Sequence, residues 1–178
     1  MSDHLTKEKW VQHGLRTLEK KGFNALKAEP LAKALKVSRG SFYWHFKDIS
    51  VFQRAVLDLW RQRSTLQVIA DIDRLDSSAG RLRALMQRAF NSDRDLERAV
   101  RAWAIPNPEA ASAVVSVDNE RINYINDLLA AHDAADASAR SKATFLYWAY
   151  LGQMMMANGN DMQFTDVEFE KIIALFHS

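Results

Sequence analysis

Apolar residues recur along this chain every three to four positions almost from end to end, and no stretch keeps the two-residue period of a half-buried strand. The pattern predicts an all-α chain of about nine helices. The first is expected over Lys7–Lys20, with Thr6 as N-cap, Leu5 and Trp10 as a hydrophobic staple, and Trp10, Val11, Leu15 and Leu18 as the buried stripe. Gly22 stops it behind Lys20 and Lys21, which suit the negative end of a helix. A short second helix is expected over Ala28–Leu35, with Pro30 in its first turn. A third follows Ser38 as N-cap and carries Phe42 and Phe46 on one face.

A long fourth helix starts at Asp48 or at Ser50, where Ser50 and Gln53 form a competing capping box, and reaches Ala70. Phe52, Val56, Leu59, Arg63 and Leu66 mark one side of it, with Trp60 adjacent. Asp71–Gly80 is polar and turn-rich. Helices are then expected over Arg81–Phe90, over Asp93–Ala104 with Ser92 as cap, and over Pro108–His132. Val114, Val117, Ile125 and Leu128 stripe the last of these. An eighth is expected over Ala137–Asn158, capped by Asp136 and ended by Gly159 and Asn160. A ninth follows Thr165, whose pairing with Glu168 is a capping box. No internal repeat or low-complexity tract appears.

The stretch Leu31–Phe46, LAKALKVSRGSFYWHF, organises the rest. It reads as two short helices joined by a tight turn, with Val37 plugging the gap between them. Phe42 and Phe46 face inward, which leaves Arg39, Ser41, Tyr43, Trp44 and His45 on or near the opposite face. A cation near a helix N-terminus is disfavoured by ~0.3–1 kcal/mol, and bare aromatics do not help a monomer stay in solution. A polyanion docked on that face explains both, as in a helix-turn-helix whose second helix enters the major groove.

Charge supports this division. The chain carries a net +2, yet residues 1–63 hold 13 Lys and Arg against 6 Asp and Glu, a local +7, and the remainder is −5. Composition adds little else. Hydrophobic content of 48% and charged content of 26% are those of a globular protein. There are no cysteines, so a reducing, cytoplasmic setting is expected, and the N-terminus lacks the apolar core of a secretion signal. No apolar run reaches the ~18–20 residues that cross a bilayer. His4, His13, His45, His132 and His177 show no metal-ligand spacing, and no nucleophile–base pattern, phosphate loop or Glu-x-x-His motif stands out. Neither metal, cofactor nor catalysis is expected.

The segment VSRGSFYWHFKD, residues 37–48, behind LAKAL and a helix ending in Lys-Lys-Gly-Phe, resembles the DNA-binding region of the TetR family of transcriptional regulators. The resemblance covers the first third of the chain; the remainder is similar to the family in length and helical layout. It implies a DNA-binding domain over residues 1–48 and a ligand-binding and dimerisation domain over 49–178. It implies that Arg39, Ser41, Tyr43 and Trp44 meet the major groove, that Tyr43, His45 and Lys47 meet phosphates, and that Lys27 and Gly40 belong to the same contact surface. Two positions depart from the family pattern. Lys27 stands where a Ser or Thr cap is usual, and Lys36 stands where glycine is usual and is expected to adopt a left-handed turn.

For the body, the resemblance implies a small-molecule pocket, with Met86, Phe90, Trp103, Arg121, Tyr124, Trp148 and Met154 as candidates. It also implies a homodimer, with Phe145, Ala149, Gly152, Phe169, Ile172 and Phe176 as candidate interface. The expected function is a sequence-specific regulator that binds a palindromic double-stranded operator and is released from it by a small effector. A ligand-independent dimeric DNA-binding protein is the alternative, and a helical-bundle enzyme or carrier stands behind it.

Overall fold

A computed structural model of the chain describes residues 5–92, 94–132, 137–156 and 164–176. Ten α-helices are formed among them: α1 (Lys7–Lys21), α2 (Ala28–Ala34), α3 (Arg39–His45), α4 (Ile49–Arg61), α5 (Gln67–Ile72), α6 (Ser78–Asn91), α7 (Asp95–Ala104), α8 (Pro108–His132), α9 (Ala139–Met155) and α10 (Asp166–Ala174). There is no strand among the described residues. A π-helical turn, Gln62–Leu66, joins α4 to α5 along the chain, so the separate α-helical segments among the described residues number nine.

The chain divides into two units. One contains Met1–Ser64 and Arg94–Val115, the other Thr65–Asp93 and Ser116–Ser178.

In the first unit α1 is the central strut, packed against both α4 and α7. The Thr6 hydroxyl accepts from the Lys9 amide at 3.3 Å, and the Gly22 amide closes the helix on the Leu18 carbonyl at 2.8 Å. Gly22 does so at φ 73°, where a side chain is strained. Trp10, Val11, Leu15 and Leu18 are buried as their spacing requires. Gly14 sits where α1 and α4 touch. A Cβ there falls 2.5 Å from Phe52 Cζ and 2.8 Å from Val56 Cγ2.

From α4, Phe52, Val56, Leu57 and Trp60 are buried. Asp48 takes the cap: its Oδ1 accepts from the Val51 amide at 3.0 Å, while Gln53 turns away to donate to the Leu26 carbonyl. Trp60 Nε1 donates to the buried Glu97 carboxylate of α7 at 3.2 Å, and Arg101 pairs with Glu97 from the next turn at 3.0 Å.

Three local expectations differ from the structure. The helix expected to run unbroken to Ala70 carries the π turn. The Ser64 hydroxyl donates to the Trp60 carbonyl at 2.7 Å, and Thr65 Oγ1 is held by Arg121 at 3.0 Å. The Ser64 bond, made to a backbone carbonyl, competes with the regular helical ladder. Ser92 does not cap the next helix; its hydroxyl donates back to the Ala89 carbonyl and closes α6. α7 instead starts at Asp95, with Asp95 and Glu97 complementing its N-terminal dipole. Ser38 occupies an N-cap position without a side-chain bond; the Ser41 amide is satisfied by the Ser38 carbonyl at 3.0 Å. The expected cap Asp136 and terminators Gly159 and Asn160 lie outside the described residues.

In the second unit α6 packs against α5, α9 and α10. Leu82, Met86, Ile125, Leu128, Leu146 and Phe169 lie in its core. The capping box at Thr165 and Glu168 forms in both directions. No helix among the described residues is long and apolar enough to cross a membrane.

Candidate nucleic-acid interface

The turn between α2 and α3 is closed by backbone bonds from Lys36 to Lys33 at 3.1 Å and from Val37 to Ala32 at 3.0 Å. Lys36 reaches this geometry at φ 56°, the one positive φ of a non-glycine residue among those described. A side chain in that region costs ~1–2 kcal/mol.

α3 has seven residues, too few to be stable by itself. Its inner face supplies the anchor. Phe42 and Phe46 are buried, and the Phe42 ring lies 5.4 Å from Trp10, 5.1 Å from Phe46 and 5.3 Å from Phe52. Phe46 and Phe52 meet edge to face at 5.0 Å. One aromatic cluster therefore clamps the short helix onto α1 and α4.

The outer face is bare. Trp44 is 87% exposed and Tyr43 45%, with Arg39, Gly40 and Lys47 exposed and Ser41 and His45 half-buried. Arg39 Nη2 donates to the Tyr43 hydroxyl at 3.2 Å, and its guanidinium lies 5.4 Å from the Tyr43 ring centroid. The hydrogen bond to Tyr43 pushes the Arg39 pKa further up. The pair presents a fork of donors beside an aromatic plane. Gly40 is open: a Cβ there meets only Ser38 Oγ, at 3.6 Å. Packing within the chain does not require glycine at this position. Lys27, exposed at the start of α2, makes no side-chain cap bond. The eight residues singled out from the sequence thus lie on α3, its flanks and the start of α2, none of them buried.

The body residues fall into separate groups. Met86 and Phe90 line a cavity of about 130 Å³ bordered by apolar side chains from α6, α9 and α10 and by Phe164. Phe145, Ala149, Phe169, Ile172 and Phe176 line the same cavity. Met154 is buried elsewhere in the second unit, and Trp103 is buried in the first. Arg121 Nε donates to Thr65 Oγ1 at 3.0 Å and Nη1 to the Tyr147 hydroxyl at 3.4 Å; that hydroxyl donates to Asp118 at 2.6 Å. Tyr124 donates to Asp73 at 2.6 Å, and burial together with that carboxylate pushes its phenol pKa up.

Trp148, at 65% exposed, joins Phe145, Ala149, Gly152 and Met155 in an apolar stripe on the outside of α9. No atom lies within 4 Å of a Cβ built at Gly152. Reading the sequence did not single out Glu97, Thr65 or Asp118, because each acquires its role from a partner far along the chain. No group of metal-ligating side chains occurs among the described residues.

Residues 11–50 match the model of bacterial regulatory proteins of the tetR family. No curated protein matches the chain. Solved structures share its fold. Salmonella enterica GusR superimposes with a TM-score of 0.76 at 16% identity, covering 99% of this chain and 95% of its own. Escherichia coli NemR in its reduced form gives 0.76 at 18%, covering 95% and 94%. A transcriptional regulator of the TetR/AcrR family from Thermobifida fusca gives 0.67 at 16%, covering 97% and 96%.

Proposed function

We propose that this chain, whose residues 11–50 match the model of bacterial regulatory proteins of the tetR family, is a homodimeric repressor that reads a palindromic operator with α3 and leaves it when a small apolar effector binds the body. The observation that carries the reading is the outer face of α3. A helix whose inner aromatics are locked presents Arg39, Tyr43 and an 87% exposed Trp44 to solvent. Trp44 on this face is left almost wholly to solvent, and the face is suited to a groove. Arg39 is placed to read guanine through two parallel hydrogen bonds, and the aromatics offer contact to a thymine methyl. Lys27, His45 and Lys47 supply phosphate contacts, which carry most of the affinity and its salt dependence. Gly40 lets the backbone approach.

Dimerisation is supported by the exposed stripe of α9. Apolar groups at positions 145, 148, 149, 152 and 155 are left uncovered within one chain, and small residues at 149 and 152 allow a partner helix to come close. Two heads about one helical turn apart, ~34 Å, then read two half-sites.

The effector is proposed to occupy the apolar cavity at Met86 and Phe90. Five residues expected at the interface, Phe145, Ala149, Phe169, Ile172 and Phe176, also line it, so occupancy bears on the surface that joins two copies. A coupling of ~1–3 kcal/mol weakens operator binding about 5–150-fold. One observation favours the second reading, a regulator without effector: about 130 Å³ is small beside the ~300–1,000 Å³ of ordinary ligand pockets.

Anisotropy titration of duplex DNA tests the first step. Tyr43→Ala and Trp44→Ala are expected to weaken binding by about tenfold or more each, with the urea midpoint unchanged for the 87% exposed Trp44. Variants that bind as the wild type does would refute the assignment of this face. Adding candidate apolar molecules to the complex separates the two readings, since only the first expects DNA release.

A further inference from the structure

The first unit carries a second basic feature, on side chains other than those assigned to DNA. A groove of about 220 Å³ runs between the later turns of α1 and α2. His13, Arg16, Thr17 and Lys20, spaced as one face of α1, line it with Lys21, and Pro30 and Ala34 line it from α2. No acidic side chain lines it. Among the described residues, the side chains of Arg16, Lys20 and Lys21 have no hydrogen-bonded or ion-paired partner.

Lys20 and Lys21 complement the end of the α1 dipole. That does not account for Arg16, a turn earlier, or for the imidazole. His13 Nε2 is buried and has no hydrogen-bond partner. A buried polar atom without a partner is a cost to the fold. The residue that carries it lines a concavity whose charged groups all have one sign.

We propose that this groove binds a phosphate-bearing anion, held by Arg16, Lys20 and Lys21 beside the His13 imidazole. Three cations around one hollow suit a dianion better than a single carboxylate, and a guanidinium fork matches two phosphate oxygens. The apolar side formed by Pro30 and Ala34 accommodates the rest of the molecule. The phosphate has two possible sources: the backbone of a duplex, outside the base pairs read by α3, or a free phosphorylated small molecule. The site does not depend on α3 recognising DNA.

The test uses the full chain, Arg16→Gln/Lys20→Gln, and Lys33→Gln as a control that removes an exposed charge outside the groove. Inorganic pyrophosphate is titrated against the His13 imidazole NMR signals, and a duplex is titrated at several salt concentrations. If the source is a free molecule, pyrophosphate moves the His13 signals and binds about tenfold or more weaker to the double variant, while Lys33→Gln keeps its affinity. If the source is DNA, the duplex moves the same signals, and the double variant lowers the slope of log K against log salt by about 0.9 per lost contact. A failure of all duplex binding overturns the regulator reading and leaves the pyrophosphate arm to decide. His13 signals unmoved by both ligands, with the double variant behaving as Lys33→Gln, overturn the proposal.

Discussion

Replacing Gly14 by alanine sets two effects of opposite sign against each other. On helix propensity alone the change stabilises a helix interior by about 0.8–1 kcal/mol. The structure opposes it. The new methyl falls 2.5 Å from Phe52 Cζ and 2.8 Å from Val56 Cγ2, against ~3.5–4.0 Å for a relaxed carbon contact. Phe52 and Val56 are fully buried, and Phe52 is pinned between Phe42 and Phe46, so neither can swing aside. α1 and α4 must separate by about 1 Å or a ring must leave its rotamer, and overpacking of this kind costs about 1–3 kcal/mol, sometimes more. The clash wins, for a net loss of about 1–2 kcal/mol.

Gly40→Ala is the control within the same unit. Its methyl enters open space, so the urea midpoint is expected to hold or rise slightly while DNA binding falls. Urea unfolding at fixed protein concentration, followed by tryptophan fluorescence, reads both variants, because Trp10, Trp60 and Trp103 are all buried in this unit. With a slope of ~1–3 kcal/mol/M, the Gly14→Ala midpoint should fall by roughly 0.5–1 M. A Gly14→Ala protein more stable than the wild type would refute the packing of α1 on α4.

Glu97→Gln keeps an acceptor for Trp60 but removes the charge opposite Arg101, whose side chain is 18% exposed; a loss of about 1–3 kcal/mol is expected by urea unfolding. Lys36→Gly should stabilise by about 0.5–1 kcal/mol by relieving the left-handed turn, and an unchanged or lower midpoint would count against that strain. His13 gives a pH dependence. Burial, then Arg16 and Lys21, hold its folded pKa below 6.5, so the unfolded chain takes up the proton first as pH falls. Stability is therefore full above about 6.5 and declines below it until the folded imidazole also protonates. His13→Gln should flatten that decline, and parallel curves for the two proteins would exclude it.

Features decided within a few residues were legible in the sequence. The stripe of α1, the stop at Gly22, the left-handed turn at Lys36 and the Thr165–Glu168 box depend on neighbours three to five positions away, and each is found in place. The split of α3 into buried Phe42 and Phe46 and exposed Tyr43 and Trp44 follows from helical period and was equally readable. What required distant partners was not. The partner of Thr65, Arg121, arrives from 56 positions away. The need for glycine at position 14 appears only when Phe52 and Val56 are set against it. Trp103 and Trp148 look alike in a periodic pattern, yet one is buried in the first unit and the other stands on the outside of α9.

Selection of duplexes from a randomised pool, with the enriched duplex then titrated at several salt concentrations, tests the central claim most directly. The account predicts a palindromic winner whose affinity falls steeply with salt, collapses with Tyr43→Ala, and loses about 0.9 of its log–log salt slope with Lys47→Ala. No enriched sequence, or variants that bind as the wild type does, would contradict it and leave only the fold in common with the regulators it resembles.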